Sequence, residues 1–363
     1  MKVYPEIIIH SKVDAQKILG KGTFEEFALF QIEENKKDIQ TACSKVITPN
    51  ESIQSATITA PGILQVEAKD KNQGELIIST IIHGDEIGTL GGINTLIKKV
   101  LLGSIEVKRN ILFVLGNLEA RKRLERFLEY DLNRLFSNSK EILDKAKGSL
   151  EYKRVKEILE SVKDFELNGL IHFDLHQTPF PAEIFENNQI PREYTCSMEY
   201  GNDPVIDSVS NLMGIDGIIR YDNELLSTTF TGYTSTKESH SATFELGKAG
   251  KTNLTQLKKA FAILSYLIEG LEVDDLNTKS EFKRNDEQVA LEEYRVEEQP
   301  LKKAEDYHFA EEYKDFQYLL SNQPYAYENN NPIYPPKEDC RILFPISEAR
   351  IGERTCVLLT RKG

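Results

Sequence analysis

The most constraining stretch of the chain runs from Leu76 to Leu101. It opens with Leu-Ile-Ile-Ser-Thr-Ile-Ile, a β-branched run with no charged side chain on either face, so as a strand it must be covered on both sides. His83-Gly84-Asp85-Glu86 interrupts the run, and Ile87, Leu90, Ile93, Ile97 and Leu101 then recur at the spacing of a helix with one apolar face. A second apolar run, Ile111 to Leu115, follows once that helix has stopped near Gly103. Strand, helix, strand in this order predicts a parallel sheet buried between helices. Ligands of such sheets collect beyond the carboxyl ends of the strands, which puts His83 and Glu86 at the mouth of a site. Gly84 is expected to allow the sharp turn that brings both side chains to one place.

An imidazole and a carboxylate three residues apart can grip a first-row cation, and zinc suits that ligand mixture best. The same pair could instead serve the helix start, where negative charge is favoured. Leu170-Ile-His172-Phe-Asp174-Leu-His176 tips the balance toward the metal. Strand alternation puts His172, Asp174 and His176 on one face there, and Ile171, Phe173 and Leu175 on the other. His176, at the strand's C-terminal end, is the candidate third ligand, giving His-x2-Glu-x89-His. Asp174 is expected to support that ligand or to act as a structural acceptor, His172 to be a hydrogen-bonded core histidine, and His10, His240 and His308 to be bystanders. Alternation returns at Ser241 to Gly247, with Ala242, Phe244 and Leu246 toward the core and Glu245 facing the other way. A carboxylate beside a metal can take a proton from an attacking water and pass it to a leaving amine. Without the metal motif, Glu245 would be read as the partner of a lysine such as Lys248.

Size and charge narrow the partners. With 363 residues and 40% apolar content, the chain can bury one large domain and a smaller one. A net charge of −13 argues against nucleic acid or an anionic membrane, and an enzyme of this charge acting on anions needs local arginines. Cys43, Cys196, Cys340 and Cys356 show no paired spacing and are expected to be reduced, small, buried side chains. The apolar run Ile7 to Ile9 is too short for a signal-peptide core and no later stretch approaches a membrane span, so a cytoplasmic protein is expected. The oligomeric state stays open.

The remaining segments frame the site. Residues 1 to about 50 mix a polar helical pattern with an edge-like segment, and residues 55–68 read as two strands broken at Pro61-Gly62. Gly116 to Phe136 follows a strand and so falls on the same sheet edge. Within it, Arg121, Lys122 and Arg123 are expected to solvate a helix, whereas Arg126 and Arg134 can reach the metal's neighbourhood, where a guanidinium suits forked recognition of a carboxylate. Residues 140–163 carry the pattern of one charged surface helix. Residues 177–240 read as polar connections that shape access, with a helix near Val205 to Met213 and a strand near Ile218 to Tyr221. Leu254, Leu257, Phe261, Leu264 and Ile268 trace a helix opened by Thr252 or Asn253 and stopped by Gly270. The charged stretch Glu272 to Pro300 is expected to hold a boundary between a catalytic α/β domain, 1–285, and a small β domain, 286–363, with strands near Arg341 to Phe344 and Thr355 to Leu359.

Taken in order, His83, Glu86, Arg126, Asn133-Arg134, His176 and Glu245 resemble the zinc carboxypeptidase-like superfamily, and within it the succinylglutamate desuccinylase/aspartoacylase family. Phe244-Glu245-Leu-Gly-Lys248-Ala and Phe344-Pro-Ile-Ser-Glu-Ala-Arg-Ile-Gly352-Glu-Arg354 look like its desuccinylase branch. The resemblance implies an α/β fold with a mixed, largely parallel central sheet flanked by helices, then a smaller C-terminal β domain that narrows access to the site. It also implies one Zn2+ per chain held by His83, Glu86 and His176, with Glu245 as general acid/base and Arg126 polarising the scissile carbonyl. Asn133 and Arg134 would bind a substrate carboxylate. The implied reaction releases an acyl group from a small anionic N-acyl amino acid, first N-succinylglutamate to succinate and glutamate in arginine catabolism. An aspartoacylase-like or other N-acyl amino acid deacylase is the alternative, and a non-catalytic metabolite-binding protein ranks third. Gln177 stands where desuccinylases commonly have Thr, which leaves acyl-group specificity open. Arg350-Ile351-Gly352 stands where aspartoacylases carry a tyrosine, which favours the desuccinylase branch.

Overall fold

The computed structural model describes residues 11–19, 22–35, 44–71, 73–137, 139–179, 183–184, 192–221, 228–251, 254–282 and 291–362. His10, Cys43, the Thr252 or Asn253 cap and the boundary expected near residue 285 lie outside the described residues.

Strand β1 (Ser11–Asp14) leads into α1 (Ala15–Leu19) and α2 (Phe24–Asn35). β2 (Ser44–Ile47), β3 (Ile53–Ala60) and β4 (Ile63–Ala68) follow as an antiparallel meander, with the turn at Pro61-Gly62 supplied by Gly62 at φ 71°. The apolar runs then form β5 (Leu76–Thr80) and β6 (Ile111–Leu115), joined by a 3-10 turn (Ile87–Thr89) and α3 (Leu90–Leu101). Next come α4 (Leu118–Arg123), a second 3-10 turn (Leu132–Arg134), α5 (Lys140–Ala146), α6 (Leu150–Val162) and β7 (Ile171–Thr178). The single helix expected over 140–163 is two, because Gly148 turns at φ 97° and Ser149 caps a new helix by accepting from the Tyr152 N–H.

A two-residue pair, β8 (Glu183–Ile184) with β9 (Arg192–Glu193), precedes β10 (Cys196–Tyr200), α7 (Pro204–Met213), β11 (Gly217–Tyr221), α8 (Phe230–Thr234), β12 (His240–Lys248) and α9 (Leu254–Ile268). The stretch read as polar connections therefore contributes a sheet strand, β10, whose Glu199 is buried in an ion pair with Arg220 of β11. After α10 (Val273–Leu276), β13 (Glu292–Glu298) pairs parallel to β11 and antiparallel to the last strand of the chain. The remaining strands are β14 (His308–Phe309), β15 (Gln317–Tyr318), β16 (Ala326–Glu328), β17 (Asn331–Ile333), β18 (Cys340–Leu343) and β19 (Val357–Arg361).

The large sheet has the order β1-β2-β3-β4-β6-β5-β7-β12-β10-β11-β13-β19-β18-β15, and β14-β16-β17 form a smaller one. Its centre, β6-β5-β7-β12, is parallel, with antiparallel pairs at β4–β6 and β12–β10 on either side. This is the mixed sheet expected, flanked by helices and followed by a smaller C-terminal sheet region. Ile78, Phe113, Phe173 and Phe244 pack on one face with apolar residues of α3, α7 and α9. Ile77, Leu112 and Val114 pack on the other with Val155 and Ile158 of α6 and Phe230 of α8. Among the described residues no helix is long and apolar enough to cross a membrane.

Neighbouring glycines of α3 face opposite surroundings. A Cβ on Gly92 would fall 1.8 Å from the Phe261 ring of α9, whereas one on Gly91 meets nothing within 4 Å. Gly91→Ala should therefore stabilise the protein by about 0.5–1 kcal/mol through helix propensity. Gly92→Ala should destabilise it by about 1–3 kcal/mol through overpacking. Thermal unfolding of the two variants checks this; a Gly92→Ala protein at least as stable as the parent would mean that α3 and α9 do not meet at this contact.

Candidate active site

The site is assembled at the carboxyl ends of β5, β7 and β12. After β5 the chain turns at Ile81, which takes the left-handed φ of 46°, while Gly84 is not in that region. Gly84 is needed for a reason beyond the turn expected of it: a Cβ there would lie 2.3 Å from the Arg121 backbone nitrogen and 2.4 Å from the Ala120 carbonyl carbon. The glycine lets the His83–Glu86 turn press against the backbone of α4, and the Gly84 N–H is received by the Arg126 carbonyl at 3.0 Å.

His83, Glu86 and His176 are brought together, all buried, with one ligand atom of each within 4.8 Å of the others. Both histidines point Nδ1 at the same carboxylate, His83 at 2.7 Å from Glu86 Oε1 and His176 at 2.9 Å from Oε2. Their Nε2 atoms point away, His83 to Asp131 Oδ1 at 3.0 Å and His176 to Asp174 Oδ2 at 2.8 Å. A carboxylate that accepts from Nε2–H leaves the Nδ1 lone pair directed inward, which is how a metal-ligating histidine is oriented. Two such nitrogens and a carboxylate match the donor set of zinc. In the cation-free geometry burial works against a charged His176 ring, yet Asp174 and Glu86 raise it well above the ordinary histidine value. Burial likewise opposes the Glu86 anion, and the two histidines outweigh it, holding the carboxyl well below its usual range.

The supporting groups are themselves tied down. Ser79 of β5 donates to Asp174 Oδ1 at 2.5 Å. His172 bonds Ser79 and Thr234 at 2.8 Å each, and burial lowers its pKa to about 4, so it stays a neutral core histidine. Asp131 was not singled out in the sequence; it opens Asp-Leu-Asn-Arg, where an aspartate reads as a turn former, and it does accept from the Asn133 N–H at 2.9 Å. Gln177 donates its backbone N–H to Glu86 Oε2 at 3.0 Å. Its side chain accepts from the Gly88 N–H at 2.6 Å and donates to the carbonyls of Lys248, at 2.7 Å, and Lys251. Glutamine at this position braces the ends of β7 and β12.

Parallel pairing of β7 with β12 sets His176 opposite Glu245. Glu245 is buried and its Oε2 has no hydrogen-bond partner, while no ion pair joins it to the exposed Lys248. Burial, reinforced by the nearby Glu86 anion, pushes the Glu245 carboxyl up to about 7. Arg126 donates from Nη1 to Glu86 Oε1 at 2.8 Å. Arg134 donates to the Asn133 carbonyl at 2.8 Å, and Asn133 Oδ1 accepts from the Phe230 N–H at 2.9 Å. His83, Arg126, Asn133, Arg134, His176 and Glu245 line one cleft together with Tyr221, Phe344 and Arg354.

Other sequence candidates fall elsewhere. Arg121 and Lys122 pair with Glu25 and Glu33 of α2, His240 with Asp203, and His308 with the Asp306 carbonyl. Arg350 is exposed and donates to the Glu129 carbonyl at 3.2 Å; its neighbour Arg354 is the residue of that segment that reaches the cleft. Cys196, Cys340 and Cys356 are free and buried.

Comparison with known proteins agrees with this architecture. The model of the Succinylglutamate desuccinylase/Aspartoacylase catalytic domain matches residues 72–270. The succinylglutamate desuccinylase of Pseudoalteromonas atlantica is 29% identical over 311 residues, covering 82% of this chain and 84% of its own. That of Shewanella denitrificans is 27% identical over 298 residues, covering 78% and 81%. Among solved structures, the succinylglutamate desuccinylase of Vibrio parahaemolyticus superposes with a TM-score of 0.74 at 20% identity, over 94% of this chain and 96% of that one. The Vibrio cholerae enzyme gives 0.74 at 18% identity, over 94% and 95%. With more than half its length matched by the family's catalytic domain, the chain belongs to the succinylglutamate desuccinylase/aspartoacylase family of hydrolases.

Proposed function

We propose that this protein is a zinc-dependent amidohydrolase of the cytoplasm that cleaves a small anionic N-acyl amino acid, N-succinylglutamate foremost, to succinate and glutamate in arginine catabolism. The observation that carries the reading is the convergence of His83 Nδ1, His176 Nδ1 and the Glu86 carboxylate beside a buried Glu245 whose Oε2 is unpartnered. The relatives' shared name, succinylglutamate desuccinylase, supports the choice of substrate.

His83, Glu86 and His176 would hold the zinc, which when bound supplies Lewis acidity and lowers the pKa of water to about 7. Glu245 takes the proton of the attacking water at Oε2 and returns it to the amide nitrogen as the carbon–nitrogen bond breaks. A carboxyl raised to about 7 is matched to both halves of that task near neutrality. Arg126, anchored through Nη1 on Glu86, turns its remaining donors to the carbonyl oxygen where negative charge grows. Arg134 and Asn133 receive a substrate carboxylate. The segment 286–363 acts as a domain that narrows the mouth through Phe344 and Arg354, which restricts the site to small substrates.

Elemental analysis should find one zinc per chain, and Glu245→Gln should keep it while turnover falls about 10²–10⁴-fold. Parental activity in that zinc-loaded variant would remove Glu245 from the reaction. Asp131→Asn and Asp174→Asn should each weaken zinc affinity about 10–100-fold, read by competition with a chelating dye. Unchanged affinity in both would mean that the outward Nε2 contacts do not orient the ligands. Assays of N-succinylglutamate, N-acetylaspartate and a short peptide should give the highest kcat/KM for the first; a preference for the peptide would overturn the small-substrate reading.

A further inference from the structure

We propose that Arg354 is a second carboxylate-binding residue of the cleft, so that the site is built for a substrate carrying two separated carboxylates, one met by Arg134 and the other by Arg354. This deepens the reading above and rests on it.

The backbone of Arg354 is clamped in place. It forms a β-bridge with Leu301, the Thr355 N–H is received by the Pro300 carbonyl at 2.8 Å, and the Glu353 carbonyl receives the Lys302 N–H at 2.9 Å. From that anchor the guanidinium lies over the Phe344 ring, 5.6 Å from its centroid, and both side chains line the cleft. Its Nε is buried without a hydrogen-bond partner, and no carboxylate of the described residues makes an ion pair with it. Burial and the nearby Arg134 cation together lower its pKa to about 10, against weaker support from Tyr221 and Asp131.

Other buried arginines of this protein do not look like this. Arg109 donates to the Leu267 carbonyl and pairs with Glu272; Arg154 donates to the carbonyls of Leu115 and Gly116 and pairs with Glu157. Arg220 pairs with Glu199, Asp207 and Glu293. A buried donor left without an acceptor is costly, and two guanidiniums held near each other repel. An anionic ligand removes both penalties at once, and a planar guanidinium matches a carboxylate's two oxygens. Arg134 is already tied to the Asn133 carbonyl at 2.8 Å and faces Asp131 at 3.9 Å, whereas Arg354 has no such partner, so it is Arg354 to which a second carboxylate is assigned.

N-succinylglutamate carries three carboxylates, of which N-butyrylglutamate lacks the one on the acyl group and N-succinylglutamine the one on the side chain; the α-carboxylate common to all three is assigned to Arg134 and one of the other two to Arg354, so these compounds form the test. Arg354→Gln should lower kcat/KM for N-succinylglutamate about 10–100-fold, mainly through KM, because a hydrogen bond to a charged group is lost. The same substitution should change little for whichever analogue lacks the carboxylate that Arg354 holds. Arg354→Lys should recover part of the lost selectivity, since it keeps the charge without the fork; it also serves if the glutamine variant does not fold. Calorimetric binding of the same three compounds to zinc-loaded Glu245→Gln, with and without Arg354→Gln, reads the subsite without turnover. An equal loss on all three compounds, or no loss on any, overturns the proposal. Selective binding without hydrolysis by the parent would leave it standing and overturn the proposed reaction instead, and failure of all three to bind overturns both.

Discussion

The Glu86 carboxylate is the point on which the site depends. It is almost fully buried, and a buried charge is tolerated only when its partners are in place. Those partners come from separate parts of the chain: His83 from its own turn, Arg126 from the loop after α4, and His176 with the Gln177 N–H from the end of β7. Withdrawing any one of these groups takes a partner from a buried charge, which ties the loop of 126 and two central strands to one geometry. Each histidine in turn needs a carboxylate behind it, so Asp131 and Asp174 extend the arrangement outward, and Ser79 passes it back to β5.

A parallel sheet makes this convergence cheap in chain terms. Adjacent parallel strands end on the same side, so β5, β7 and β12 deliver their following residues to one edge without any of them bending far. Pairing in register puts Glu245 beside His176, a contact between residues nearly seventy positions apart. Helices pack apolar side chains on both faces of the sheet, and a low local dielectric strengthens the charge interactions buried at its edge. The chain's formal charge is −13, yet the cleft gathers three cationic side chains, Arg126, Arg134 and Arg354.

Much of this was legible from residues alone, for a physical reason. β5 and β6 are buried on both faces and read as apolar runs, while β7 and β12, equally buried, alternate apolar residues with imidazoles, hydroxyls and carboxylates that stand out because a buried face seldom carries them. β10 escaped notice because its Cys-Ser-Met-Glu-Tyr has no apolar run; what buries Glu199 is an arginine two elements away, and no local pattern records that. Asp131 escaped for a similar reason, and Arg354, though it ends a stretch that resembles desuccinylases, carried no local sign of its place in the cleft. An aspartate ahead of a turn and an arginine in a loop have ordinary local explanations, and only the assembled cleft reveals that one backs a histidine and the other has no acceptor. Gly84 lies in the expected turn, closed by the Glu86 N–H on the His83 carbonyl at 3.2 Å, but the close approach of a second backbone that also requires a glycine leaves no trace in the neighbouring sequence.

The C-terminal strands are joined to this site by more than continuity of the sheet. Asp315 is buried and accepts from Thr178 Oγ1 at 2.6 Å and from the Phe344 N–H at 2.7 Å, so one carboxyl links the end of the His176 strand to the residue that packs under Arg354. Burial raises its pKa from 3.8 to about 7, despite the two donors. The folded state therefore binds this proton more tightly than the unfolded chain does between about pH 4 and 7, and the contribution of Asp315 to stability declines as pH rises through that window. A neutral carboxyl still accepts both hydrogen bonds, whereas an anion keeps them at the expense of desolvation. Below about pH 7 the neutral Asp315 thus keeps both hydrogen bonds, joining the end of β7 to Phe344, without adding a buried anion beside Arg354 and Arg126.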